Sequence, residues 1–424
     1  MKNKVINFIK QSPTAYHAVD SIAKRLLAEG YTELFENEKW NLSVGGKYFT
    51  VRSGSSIIAF RTPQIKAPFM ISATHSDSPA YKVKDSKDKA GYAVITTEKY
   101  GGLIMYSWFD RPLSVAGRVV LRTEDGIRTE LFDSTGPIGV IPSLAIHLNR
   151  SVNDSFAPQA TDMQPLMSLA GSSLNELIAN SLSVNESDII SHDLILYNAE
   201  CGISFGSKDE FVLCPRLDDL ACVCASLEAF IDADAKSAIP VLAVFDNEEV
   251  GSSTKQGAAS TFLFDTLSRI IPNSEDYKAA LADSFMVSAD NAHAKHPNRP
   301  EISDPDNAPT LGGGIVIKHN ANQRYATDAV SDAIFKTVCE RAGVKTQSFY
   351  NRPDLLGGST LGSIADTKVS VPTVDIGIAQ LAMHSASETA AVCDLTAMKD
   401  ALTEFYRTSL KSSGEKILIK SDKI

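Results

Sequence analysis

A chain of 424 residues is longer than one hydrophobic core usually supports, so two domains, or one domain carrying a large insertion, are expected. The composition, 43% hydrophobic and 22% charged, is globular, and a formal net charge of −10 argues against nucleic acid or an anionic membrane as partner, because both are bound by basic surfaces. No run of eighteen apolar residues occurs, and "MKNKVINFIKQSPTAYHAV" at the N-terminus lacks the unbroken apolar stretch of a signal peptide, so a soluble, cytoplasmic protein is expected. The six cysteines are scattered with no C-x-x-C pair, as reduced structural thiols would be.

In chain order, residues 2 to 29 read as an amphipathic helical region, with Ser12 before Pro13 marking the start of a second helix. Strand patterns follow in "KYFTVRSGSSIIAFR" (47 to 61) and in the short apolar "FMISAT" (69 to 74), which ends at His75. From about 81 to 212 the texture is β-like, as in "YAVITTEKYGG", "GRVVLRTEDGIRTELF" and "DLILYN". Beyond it, helical patterns such as "LACVCASLEAFIDA" and "VSDAIFKTVCERAG" alternate with the short apolar strands "IPVLAVF", "FMVSA", "GIVI" and "TVDIG". That alternation implies an α/β fold with a sheet covered on both faces, and a mainly β domain inserted after its first strands.

Collecting the acidic and histidine residues at the ends of apolar strands gives a short set. "FMISAT" runs into His75 and Asp77, "VLAVF" into Asp246, Glu248 and Glu249, and "FMVSA" into Asp290, while "TVDIG" leads within seven residues to His384. Asp218 and Asp219 lie between a short strand and a helix, where a helix cap is a competing reading for Asp218. Open α/β sheets bind ligands outside the carboxyl ends of their strands, so these distant positions can converge into a metal site. Charge counting favours two divalent ions: one bridging Asp, one Glu and one Asp supply three negative charges against four positive ones, and a bridging hydroxide closes the balance. Two such ions, roughly 3.5 to 4 Å apart, would activate the water and hold an oxyanion. One carboxylate must then stay free as the base. Strand geometry alone allows either Glu248 or Glu249 to face the metals.

The segments "SPTAYHAV", "THSDSPA", "WFDRPLSVAGRVV", "IPSLAIHLNR", "RLDDL", "DNEEVGSS", "SADNAHAKHPN", "IVIKHNANQRYAT" and "QLAMHS" resemble, in the same order, those of the M18 family of zinc aminopeptidases, the aspartyl aminopeptidases and their bacterial relatives. The resemblance implies a zinc-peptidase catalytic domain, a mixed sheet flanked by helices, formed by residues 1–80 and 205–424. Residues 81–204 would form an inserted β-rich domain that mediates dimers, packed into a tetrahedral dodecamer. It further implies two divalent ions, zinc with manganese or cobalt as chemical equivalents, on His75 and Asp290 and on Glu249 and His384, with Asp218 between them. Glu248 becomes the general base, Asp77 the carboxylate that orients a histidine ligand, and His147 the residue a neighbouring subunit lends to the site. Lys318 resembles the lysine that contacts an acidic first side chain, and Tyr325 is placed to donate to the tetrahedral intermediate. The expected reaction is removal of N-terminal residues, acidic ones among them, from peptides with a free amino end. Two departures stand out: "RLDD" adds Asp219 where Asn is more usual, and "GGSTLG" (357 to 362) resembles microbial members of broader preference.

Other readings are weaker. "GISFG" (202 to 206) fits the serine-hydrolase elbow pattern, but "SKDEFVLC" after it reads as a strand where the elbow needs a helix, so a hairpin is expected. A different two-metal hydrolase, of the N-deacylase or carboxypeptidase type, would use the same ligands with another pocket. A non-catalytic self-assembling shell has no reason to keep every ligand and the base.

Overall fold

A strand buried at every position must have both faces of its sheet covered, and Phe69–His75 is such a strand. Its side chains alternate between two cores: Met70 packs with Leu242, Val244 and Val287, while Phe69, Ile71 and Ala73 pack with Val241, Ala243 and Phe245. The computed structural model, which describes residues 1–64 and 66–422, sets this strand at the middle of a nine-stranded mixed sheet. The spatial order is Thr32–Glu33, Lys47–Arg52, Ser56–Arg61, Ile239–Phe245, Phe69–His75, Phe285–Ala289, Thr373–Gly377, Ile315–His319 and Thr346–Tyr350. The four strands from Ile239–Phe245 to Thr373–Gly377 are mutually parallel, so their carboxyl ends open along one edge. His75, Asp246 and Asp290 lie on that edge, at or one residue past the ends of their strands.

Helices Lys2–Gln11, Ala15–Ala28, Leu217–Asp232, Ala329–Ala342 and Val392–Tyr406 cover one face, and Phe262–Ile270 and Ser274–Ala282 the other. The second helix begins after Thr14, whose side chain accepts from the His17 amide, so the cap is Thr14 and not Ser12. No helix among the described residues is long and apolar enough to cross a membrane.

Residues 80 to 198 supply every strand of a second, six-stranded sheet with its own apolar core. Its order is Gly126–Asp133, Leu113–Thr123, Ile189–Asn198, Ala80–Lys89, Tyr92–Tyr100 and Leu166–Leu169, antiparallel throughout. A third sheet joins Ile203–Phe205, Phe211–Cys214, Glu388–Ala391, Ala379–Leu381 and Ala292–His293. "GISFG" therefore leads into a hairpin, as its flanking strand pattern predicts. This third sheet takes up the chain directly after Asp290 and on both sides of His384, which ties those two segments together.

Gly377 makes the close approach of the strand Thr373–Gly377 to the turn after Asp290 possible. A Cβ there would lie 2.2 Å from the Asp290 carbonyl oxygen and 3.0 Å from the Ala292 nitrogen. Gly377→Ala is expected to force these backbones apart and to lower the unfolding free energy by about 1–3 kcal/mol, the usual cost of overpacking. Denaturant unfolding of the purified variant checks this, and unchanged stability would mean that the Asp290 turn yields freely.

Candidate metal centre and active site

His75 and His384 are oriented in the same way. The Nδ1 of His75 lies 3.0 Å from the Asp77 carbonyl oxygen, and that of His384 lies 2.8 Å from the Gly102 carbonyl oxygen. A carbonyl can only accept, so each Nδ1 carries the proton and each Nε2 is left to face the carboxylates. His75 Nε2 is 3.4 Å from Asp218 Oδ1 and 3.9 Å from Asp290 Oδ1. His384 Nε2 is 3.5 Å from Asp218 Oδ2 and 3.4 Å from Glu249 Oε1. One carboxylate, that of Asp218, thus faces a different histidine with each oxygen.

Three groups of potential ligand atoms, each within 4.8 Å of one another, overlap here: His75 with Asp218, Asp219 and Asp290; His75 with Glu248 and Glu249; and Asp218 with Glu249 and His384. Asp218 and Asp219 are buried, and among the described residues Asp218 Oδ1 and Asp219 Oδ1 have no hydrogen-bond partner. Orphaned carboxylate oxygens in a protein interior are costly, and a set of them aimed at two imidazole nitrogens is the donor chemistry of divalent metal sites. The residues present therefore fit the ions the sequence pattern implies. The electrostatics agree. Burial pushes Glu249 and Asp219 well above the usual carboxylate range, and burial with the negative charges of Asp290, Asp77 and Asp218 lifts Glu248 to about 8. Burial also works to raise Asp218, but the imidazoles of His384 and His75 outweigh it and hold Asp218 low. Burial would lower the two histidines, yet their carboxylate neighbours prevail and raise both, His384 to about 10. Protons here offset like charges, a task that a divalent cation performs with fewer groups.

The two glutamates sit on a short turn, Glu248–Val250, entered through Asn247 in a left-handed conformation, φ 64°. Asp77 holds this turn: its Oδ1 accepts from the Glu248 amide at 3.1 Å, and its Oδ2 accepts from the Glu249 amide at 3.1 Å and from the Tyr100 hydroxyl at 2.7 Å. Asp77 Oδ1 is also 3.5 Å from His75 Nδ1, so the structure gives it a hold on the glutamate turn beyond the histidine contact expected from sequence. Asp246 accepts from the Asn247 amide and its own amide donates to Ser56 Oγ, which props the same turn.

Lys318 is buried rather than solvated at its strand end. Its Nζ donates to the Asn291 carbonyl oxygen at 3.0 Å, lies 3.5 Å from Asp290 Oδ2 and 5.4 Å from the centre of the Tyr325 ring. Lys318, Tyr325, Phe349 and Thr360 of the "GGSTLG" loop line one cavity of about 300 Å³ with His75, Glu248 and His384. His147 does not line it; it lies on an exposed stretch of the inserted segment. Asp218 and Asp219 interrupt the start of the helix with non-helical dihedrals (φ −82°, ψ 109° and φ −113°, ψ 15°), and the Asp218 oxygens face the two histidines rather than a helix amide. Sequence reasoning missed Tyr100, Gly102 and Asn291, which reach the site from other strands and loops and carry no local signal. It also missed Glu388, whose only trace is its place four residues after His384, and it gave Asp219 no role although Asp219 Oδ2 accepts from the His75 amide at 3.3 Å.

The family described as "Aminopeptidase I zinc metalloprotease (M18)" matches residues 8–406 of this chain. The chain belongs to the M18 family. It is a metallo-aminopeptidase, and relatives are named aminopeptidases: a protein of Clostridium acetobutylicum called probable M18 family aminopeptidase 2 is 42% identical over 423 residues, covering 95% of this chain and 98% of its own. Among solved structures, a chain from the Ape4 and Nbr1 complex is 36% identical with a TM-score of 0.92, covering 95% of this chain and 84% of that one. A chain of the S. cerevisiae mApe1 dodecamer is 28% identical with a TM-score of 0.84, each chain covered to 95%. For this M18 enzyme the Asp77 contacts make a prediction. Asp77→Ala should leave the Glu248 and Glu249 amides without acceptors and lower turnover about 10- to 100-fold, the usual cost of removing an outer partner of a metal site. Steady-state kinetics at saturating zinc would check it, and parental turnover would show that the turn holds itself.

Proposed function

We propose that this M18 enzyme removes N-terminal residues from peptides at a centre of two divalent ions, zinc by the family's description, held by His75 and Asp290, by His384 and Glu249, and by Asp218 between them. The observation that carries this reading is the division of Asp218 between two histidines, 3.4 Å from one and 3.5 Å from the other. Bound there, such ions supply Lewis acidity toward the scissile carbonyl and the attacking water. Glu248, on the turn held by Asp77, takes the proton of that water and returns it to the leaving amine. Tyr325 donates its hydroxyl to the oxygen on which charge develops, and Lys318 takes an acidic first side chain. An ammonium has three donors, and the contacts to Asn291 and Asp290 leave one for a substrate carboxylate.

The proposal extends to assembly. Leu144, Ile146 and Leu148, around His147, are 65%, 49% and 77% exposed, an apolar strip suited to burial against another copy. With the mApe1 dodecamer as precedent, residues 81–204 act as the dimerisation domain of a tetrahedral dodecamer, and His147 reaches the active site of a neighbour. The free state of all six cysteines is in keeping with a reducing, cytoplasmic setting.

Two measurements test this reading. Glu248→Gln should lower turnover by about 10²- to 10⁴-fold, the range for loss of a general base, with metal content unchanged by elemental analysis; near-parental turnover removes Glu248 from the role. Asp-, Glu-, Leu- and Lys-anilides, each with an N-acetylated control, should rank by kcat/KM with the acidic residues first and the blocked forms inert. Cleavage of blocked forms would instead favour a hydrolase of the N-deacylase type, and a lead for leucine over both acids would confine Lys318 to its contacts with Asp290 and Asn291.

A further inference from the structure

Beneath the proposed ligands runs a line of buried polar side chains that does not belong to them. Glu388, Gln380 and Asn291 are 2%, 1% and 2% exposed. Glu388 Oε2 accepts from the Asp218 amide at 3.0 Å, and Glu388 Oε1 accepts from the His384 amide at 2.7 Å and from Gln380 Nε2 at 3.5 Å. Gln380 Oε1 in turn accepts from Asn291 Nδ2 at 2.9 Å, and Asn291 Nδ2 also donates to the Leu217 carbonyl oxygen at 2.8 Å. Asn291 Oδ1 completes the set by accepting from the Cys222 thiol at 3.1 Å. The line therefore grips the backbone beside Asp218, beside Asp290 and at His384.

The grip is tightest at His384. This residue has φ 66°, a left-handed conformation that a non-glycine residue keeps only when its surroundings hold it. Its amide is held by Glu388 and its Nδ1 by Gly102, which together decide where Nε2 points. The same carboxylate holds the amide of Asp218. A carboxylate suits this place because both of its oxygens accept and both meet an N–H; a glutamine would set its NH₂ against one of those donors.

We propose that Glu388 is a positioning residue that sets His384 against Asp218, and so determines the affinity of the ion shared by Asp218, Glu249 and His384 more than that of the ion on His75 and Asp290. The proposal rests on the two-ion reading above. Glu388 and Gln380 do not line the cavity that holds Lys318 and Tyr325; Glu388 borders a second cavity with Asp77, Asp218 and His384, and it reaches the proposed ligands through the Asp218 and His384 amides.

The test uses the full-length protein stripped of metal and titrated with Co²⁺, read by calorimetry and by visible absorption of the bound cobalt. The parent should show two binding events. Glu388→Gln should weaken one of them by about 10- to 100-fold, shift the cobalt spectrum of that event, and leave the other within roughly threefold. With metal in excess, kcat should fall while KM for a peptide anilide stays the same. If Glu388→Gln does not fold, Glu388→Asp takes its place: it keeps both oxygens but is one methylene too short to reach both amides, and the same selective weakening is expected. Two parental events and an unchanged spectrum in the variant would overturn the role of Glu388 and leave the two-ion reading standing. Equal weakening of both events, together with a lower Tm of the metal-free protein, would also overturn it, because general destabilisation would then explain the result. A single event in the parent would remove the two-ion reading and this inference with it.

Discussion

Asp218 is the point on which the site depends. One buried carboxylate, with an oxygen toward each of two imidazoles, can be stable only where its charge is shared and its neighbours are held still. Asp219, Glu248, Glu249 and Asp290 add further acid to the same volume, and each would repel the others without cations or protons among them. The rest of the chain supplies the rigidity that keeps this concentration of acid in place.

That rigidity comes from three layers of different kinds. Parallel strands packed on both faces fix where His75, Asp246 and Asp290 emerge, because a strand buried on both sides cannot slip by one residue without exchanging its two cores. The third sheet ties the chain after Asp290 to the chain around His384 through the pairing of Ala292–His293 with Ala379–Leu381. The inserted segment adds Tyr100 and Gly102, which bind Asp77 and His384 from outside the large sheet. The site is therefore assembled from the three larger sheets, and Asp77 links two of them by holding the glutamate turn and the Tyr100 hydroxyl at once.

Most of the residues that were legible in the sequence stand directly at the end of an apolar strand, where periodicity reveals them, while His384 and Asp218 were picked out a few residues beyond one. His75, Asp290 and the "DNEE" group were visible in this way. Lys318 was visible but ambiguous, since the end of a strand does not tell whether a lysine turns out to water or in toward Asp290. The Asp218 alternative of a helix cap gave way because its two oxygens turn to His75 and His384 from a non-helical stretch at the start of that helix, an arrangement that no propensity foretells. Ser12 and Thr14 are both good caps, and only the observed backbone chose Thr14. Tyr100 was not legible because its partner Asp77 lies 23 residues away along the chain, and Glu388, although four residues from His384, was not because its second partner, the Asp218 amide, lies 170 residues away.

By itself, then, the sequence determined the α/β pattern, the β-rich middle section and the acidic and histidine residues offered at strand ends, because burial and hydrogen bonding act on near neighbours and leave a periodic trace. Only the tertiary structure decided that Asp218 divides between two histidines, that Asp77 holds the glutamate turn, and that Glu388 binds the amides of Asp218 and His384 together. Those are contacts between segments far apart in the chain, and their geometry depends on strand order, which local periodicity does not encode.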